Sequence, residues 1–293
     1  MRTYIKRVLA AAFLASAAYS SIHAVGPGEV RWNNEASDTT RITGILIEAS
    51  ALKSPSPNEL VSFIGQKFIA TPYAAGTLEG TPETLTVNLD SMDCTTFMET
   101  VAAMALTIEE SRNSWQDFLY NLERIRYRQG RTDGYASRLH YISDWIVDNT
   151  HRGTIQEVTD RLKGSAYQVK TLDYMTSHRN AYPALADSAE YARMKSVETG
   201  YRSHRFPYIK SAALMSNGAK DILRDGDIIA FTTKTDGLDV SHIGIILMDN
   251  GTPRLLHASS KAGKVIVDPR PLSEYLQKNR SITGGRIIRL ARL

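Results

Sequence analysis

The sequence predicts an α+β fold in which a cysteine-bearing helix packs on an antiparallel sheet, with a helical insertion between them. Three observations predict it. "MDCTTFMET" (92–100) opens a stretch with helical apolar spacing. "GDIIAFTT" (226–233), "SHIGIILM" (241–248) and "RLLHASS" (254–260) read as consecutive strands rich in Ile, Leu, Phe and Thr. Between these regions, residues from about 112 to 200 carry helix-like patterns ended by glycines.

The N-terminus comes first in the chain. Arg2, Lys6 and Arg7 precede an apolar run from Val8 to Ala18, and small residues follow that suit cleavage after Ala24. The run is shorter than the roughly 17–25 apolar residues of a spanning helix. Residues 1–24 are therefore expected to be a signal peptide, and the mature protein to be periplasmic or extracellular with no stable membrane insertion. No cysteine follows the run, so lipid attachment is not expected there. Removing the three basic residues, which no acidic residue offsets, lowers the net charge from +4 to +1. That is too little to suggest nucleic acid as a partner. Residues 25–293 show no repeat and, after Pro57, no Gly/Ser-rich or Pro-rich linker, so one domain is expected. Its core is large enough to fold without disulfides.

Cys94 is the only cysteine. In an exported protein it has no internal partner, and a free thiol invites oxidation. Burial as a small apolar residue is the plain alternative. The local pattern favours chemistry. Phe97, Val101, Met104, Ala105 and Ile108 form one apolar stripe, with Glu99, Glu109 and Glu110 expected on the surface. Asp93 is a natural N-cap, which puts Cys94 in the first turn, where free amides and the helix dipole favour a thiolate. The Asp93 carboxylate opposes a thiolate, so its expected part is to cap and hold the turn.

A thiol nucleophile needs a base and a group to orient that base. Among the seven histidines, His242 and His257 lie on the second and third predicted strands, joined by "DNGTP". If Asn250-Gly251 is a two-residue turn, Asp249 faces Thr252 and Gly244 faces His257. His242 then shares a sheet face with His257 as a diagonal neighbour, roughly 7–8 Å away at the backbone. A turn on Asp249-Asn250 sets the two histidines directly opposite, whereas an odd-length loop puts them on opposite faces. Each alone is ordinary in a strand; a shared face is less so.

In the middle of the chain, "SWQDFLYNLERIRYRQG" reads as a helix ended near Gly130, and "YASRLHYISDWIVDNT" as a helical or mixed stretch ended before Gly153. Tyr135, Arg138, Tyr141 and Trp145 mix aromatic and cationic groups suited to sugar rings and carboxylates. Amphipathic packing is the competing reading.

Taken in order, "TPYAAGTLEG", "MDCTTFMET", "RYRQGRTDGYASRLHYISDWI", "GDIIAF", "SHIGIIL" and "LLHASS" resemble the NlpC-type bacterial cell-wall cysteine hydrolases. The similarity is to their amidase-like branch, long treated as a domain of unknown function, and spans Phe68 to the C-terminus. The resemblance implies a papain-like core with Cys94 as nucleophile, His242 as base and His257 as the residue that orients it. It matches Tyr73 to a tyrosine near the nucleophile, although "TLEGTPETLTVNLDSM" makes the spacing to Cys94 long. It also implies an N-acetylmuramoyl-L-alanine amidase acting on anhydro-muropeptides, with muropeptide or peptidoglycan fragments as partners, no cofactor, and a monomeric state. No HxxxH or CxxC accompanies the histidines, so no metal is expected. A stem-peptide endopeptidase of the same fold, a cysteine acyltransferase and a catalytically silent wall-binding module remain alternatives.

Overall fold

The structure, a computed structural model, describes residues 29–216 and 218–292, so the expected signal peptide lies outside the described residues. The first half of the chain is mainly helical: α1 (Glu35–Ser50), α2 (Pro57–Gln66), α3 (Cys94–Glu109), α4 (Trp115–Arg126) and α5 (Ile142–His151). Their starts are chemically marked. Asn34, Ser56, Asp93 and Ser114 each accept a backbone N–H of the first turn, and Pro57 sits where its missing N–H costs nothing.

The strands are β1 (Val30–Trp32), β2 (Leu85–Val87), β3 (Ile155–Glu157), β4 (Ser165–Lys170), β5 (His204–Lys210), β6 (Ile228–Thr233), β7 (Val240–Asp249), β8 (Thr252–Ser259), β9 (Lys264–Pro271) and β10 (Ile282–Leu290). β1 and β2 form a small parallel pair. The others form an eight-stranded antiparallel sheet in the order β4-β5-β10-β6-β7-β8-β9, with β3 also paired to β10. The segment 112–200 is thus not helical throughout, because β3 and β4 join this sheet. Their short length and mixed polarity hide them from a periodicity reading: β3 is only "IQE".

Alternation along the strands divides the interior. Ile228, Ala230, Ile245 and Leu256 face one core shared with α1 to α4. Ile229, Phe231, Ile246 and Leu255 face a second, covered by the helix Leu272–Lys278. A third cluster gathers Tyr135, Tyr141, Leu172, Met175, Leu185 and Met194 in the middle of the chain.

α3 departs from the one-stripe expectation. Every residue from Thr96 to Thr107 is buried, because the helix is enclosed by α1, α2 and α4 on one side and by β7 and β8 on the other. Glu99 is therefore not a surface residue. It is 2% exposed and bonds Arg126 Nε at 2.6 Å, while Arg126 also donates to the Thr86 carbonyl. Losing either partner would strand a buried charge at a cost of about 3–5 kcal/mol.

Candidate active site

Asp93 closes the N-terminus of α3. Its Oδ1 accepts the Thr96 amide at 2.8 Å, and Thr96 Oγ1 accepts the Asp93 amide at 2.9 Å. This box holds the turn that presents Cys94, whose side chain is half-buried. The thiol is not a thiolate at rest: burial, then the Asp93 charge, push its pKa up from 9.0 to about 11. Hydrogen bonds from the Ile243 amide, the Thr95 hydroxyl and the Cys94 amide work against that rise. The dipole argument for a thiolate is outweighed because enclosure strips hydration from the sulfur and the Asp93 charge opposes its ionisation.

The Ile243 amide reaches the sulfur because of the sheet register. β7 and β8 pair from Asp249↔Thr252 to Ile245↔Leu256, about a turn in which Asn250 and Gly251 both have positive φ, 48° and 78°. This is the two-residue turn expected of Asn-Gly. Toward the site the ladder ends at Ile245↔Leu256, while β6 stays paired to β7 through His242 and β8 stays paired to β9 through Ser259. The Ile243 amide meets Cys94 in that opening.

The same register brings the two histidines together. Phe231 pairs with His242, but Thr232 pairs with Val240, so Ser241 is an extra residue beside the histidine. Such a bulge re-aims the neighbouring side chain. Gly244 leaves room for β8: a Cβ there would sit 3.1 Å from that of His257 and 3.0 Å from the Leu256 carbonyl. His242 Nε2 and His257 Nδ1 lie 2.7 Å apart. Phe231 stacks parallel to His242 at 6.2 Å, and Tyr275 meets His257 edge-on at 5.7 Å, so aromatic faces hold both rings. Burial lowers the pKa of His242 to about 3, helped by His257, and that of His257 to about 4. Thiol and imidazoles are all neutral in the resting protein.

Phe231, Tyr275, Asp268 and Arg270 complete this surround and are not evident from motif reading. Asp268 Oδ2 lies 3.9 Å from His257 Nε2 and is bound to Arg270. The sequence holds a signal for it. Pairing β8 with β9 across the 260–263 turn sets His257 against Ile266, which puts Asp268 two residues along on the same face.

Tyr73 is carried to the helix start by backbone stitching. Its amide donates to Gly263 at 2.8 Å, and the Met92 amide donates to Pro72 at 2.9 Å, so residues 72–73 lie between β9 and the approach to Cys94. The long intervening segment loops out through β2 and returns, which reconciles the spacing. Burial, then the charges of Cys94 and Asp93, raise the Tyr73 pKa.

A cavity of about 170 Å³ adjoins the helix start and is lined by Glu79, Asp93, Thr95, Arg138 and His140, among others. Of the four residues expected to bind substrate, only Arg138 borders it, paired to Glu79 at 2.8 Å and to Glu83 at 3.4 Å. Tyr135 is buried beneath the Arg138 guanidinium. Tyr141 and Trp145 do not border this cavity. The Tyr141 hydroxyl bonds Glu198 and the Met175 amide, and Trp145 is wholly enclosed in the first core.

Comparison with known proteins follows the same lines. A family model described as AmiA-like, N-acetylmuramoyl-L-alanine amidase-like, matches residues 63–283. A search of curated proteins finds no match. An N-acetylmuramoyl-L-alanine amidase from Bacteroides uniformis is similar over 80% of this chain and 98% of its own, at 41% identity and a TM-score of 0.74. A Bacteroides fragilis protein provisionally called a xylanase is similar over 78% of this chain and 99% of its own, at 43% identity and a TM-score of 0.72. A Legionella pneumophila protein at 23% identity, covering 88% of this chain and 97% of its own with a TM-score of 0.66, shares the fold. With a family match spanning most of its length, the chain belongs to the N-acetylmuramoyl-L-alanine amidase-like family.

Proposed function

We propose that the chain is an exported cysteine amidase with a papain-like, NlpC-type core, which hydrolyses the bond between N-acetylmuramic acid and L-alanine in small 1,6-anhydro-muropeptides. The observation that carries this reading is the 2.7 Å contact between His242 and His257 beside a helix-start thiol that accepts the Ile243 amide. The B. uniformis amidase supports the choice of bond. The reading takes residues 25–293 as one domain acting as a monomer after signal cleavage. Among the described residues, no helix is long and apolar enough to cross a membrane.

The chemistry starts from neutral partners. Nε2 of His242 is engaged by His257, so Nδ1 takes the thiol proton as the sulfur attacks the amide carbonyl. The Cys94 amide and the Tyr73 hydroxyl stabilise the oxyanion. The C–N bond then breaks, and the imidazolium returns its proton to the amine of L-alanine. Water, deprotonated by His242, cleaves the thioester and restores the thiol. His257 fixes the plane and tautomer of His242.

The name of the B. fragilis relative raises a glycosidase reading, which needs two carboxyl groups facing each other across a cleft. The carboxylates at this site are otherwise engaged: Asp93 caps α3, and Glu99 is bound to Arg126. Incubation with defined anhydro-muropeptides, followed by product mass analysis, tests the proposal. Release of a free stem peptide beginning with L-alanine is expected. Cleavage between D-glutamate and the diamino acid would make it an endopeptidase, addition of an amine or alcohol in place of water an acyltransferase, and binding without turnover a silent module.

A further inference from the structure

A neutral imidazole carries one proton, so the short His242–His257 contact has only two neutral arrangements. In the first, His242 donates from Nε2, its Nδ1 bears the lone pair, and His257 must carry its proton on Nε2. In the second, His257 donates from Nδ1, and His242 must hold its proton on Nδ1, where it cannot accept one from a thiol. Choosing between them decides whether the site can act, and nothing within the pair makes that choice.

The surroundings of His257 make it. Its Nε2 is buried without a hydrogen-bond partner among the described residues, and Asp268 Oδ2 is 3.9 Å away. That distance is too long for a hydrogen bond, so the coupling is electrostatic. A carboxylate facing Nε2 favours an N–H there and disfavours a lone pair. Asp268 is itself 2% exposed and rigidly held: its Oδ1 accepts the Arg270 amide at 3.0 Å and Nε at 2.8 Å, and its Oδ2 accepts Nη2 at 2.6 Å. We propose that Asp268, locked by Arg270, is a positioning residue that keeps the His257 proton on Nε2 and thereby leaves the Nδ1 lone pair of His242 turned to the thiol. This rests on the assignment of His242 as base.

Arg270 has a second effect. A lone carboxylate would draw His257 toward the imidazolium form, which cannot accept from His242. The Asp268 charge raises the His257 pKa and the Arg270 charge lowers it, while burial keeps the ring neutral. Burial opposes ionisation of Asp268 as well, but the Arg270 bonds outweigh it and hold that carboxyl below its usual range. The groups facing His257 are His242 on β7, Asp268 and Arg270 on β9, and Tyr275 on the helix beyond.

The test uses Asp268→Asn and Arg270→Met in the full mature chain. Asp268→Asn should lower kcat by about 10- to 100-fold with KM unchanged, less than the roughly 10⁴-fold lost when a carboxylate bonded directly to the catalytic histidine is neutralised. The ¹⁵N resonances of the His257 ring should move toward the other tautomer. The acid limb of the rate profile should shift to lower pH in Asp268→Asn and to higher pH in Arg270→Met, a divergence that a merely structural role would not give. An unchanged kcat and ¹⁵N spectrum in Asp268→Asn would overturn the proposal, as would limbs moving together. If Asp268→Asn does not fold, an Arg270→Met limb that stays in place or moves down overturns it alone. Turnover in Cys94→Ser would instead sink the cysteine mechanism, whereas an inactive Cys94→Ser beside a normal Asp268→Asn sinks only this inference.

Discussion

The β7–β8 hairpin and the segment from Tyr135 to Trp145 both bury polar and aromatic side chains, yet they treat charge in opposite ways. In the hairpin two imidazoles press together, and the Asp268 carboxylate stands 3.9 Å from the His257 ring. Burial therefore wins, and both rings are neutral. In the segment, donors meet carboxylates at contact: Arg138 pairs with Glu79, Arg128 with Asp144, and the neutral Tyr141 hydroxyl donates to Glu198. Groups fixed by full ion pairs hold the insertion together, whereas neutral groups sharing one hydrogen bond are free to pass a proton. Buried polarity marks a reactive site only where the charge is left unmatched.

The sharpest break of this contrast is Cys94→Ala. Hydrolysis should be abolished, while the orphaned Ile243 amide costs about 1 kcal/mol, the worth of one ordinary hydrogen bond. Retained turnover would end the nucleophile assignment. His242→Ala should cost roughly 10²–10⁴-fold in rate, with His257→Ala losing less, since it holds the proton-transfer group and does not itself transfer the proton. Equal or silent effects, read by steady-state kinetics, would contradict those roles.

Changes in the segment should act on folding instead. Trp145→Ala removes a wholly buried ring and should destabilise by about 3–5 kcal/mol in urea titrations, with kcat per folded molecule retained. A folded variant with lost turnover would return this residue to the site. The last effect is on pH. Because His242 and His257 titrate below their unfolded value of 6.5, the unfolded chain binds protons first as pH falls. Stability should drop from about pH 6.5 downward and level off below the folded values near 4 and 3. His257→Gln should flatten part of that slope in melting experiments, and an unchanged slope would mean that the ring is not held neutral.

The hairpin is legible in the sequence because Asn250-Gly251 dictates a turn, and a turn dictates register; side-chain faces then follow by counting. The same logic makes Asp93 and Cys94 legible, since capping chemistry is local. The state of the thiol is not legible, for it depends on enclosure by segments distant in sequence. Residue type alone does not decide between 135 and 145, because an arginine among aromatics looks the same whether its carboxylate partner is a ligand or the chain's own Glu79. Asp268 lies between these cases, reachable by counting only once β9 is recognised as a strand.

The enclosure of α3 bears on when the protein becomes active. The helix that carries Cys94 is apolar on nearly every side, and part of its packing comes from β7 and β8 near the far end of the chain. Contacts of such separation form late, because the long loop must close before they contribute any stability. A chain still being lengthened has the cysteine early, but neither the Ile243 amide nor the two imidazoles. The site is therefore complete only after the last strands have formed.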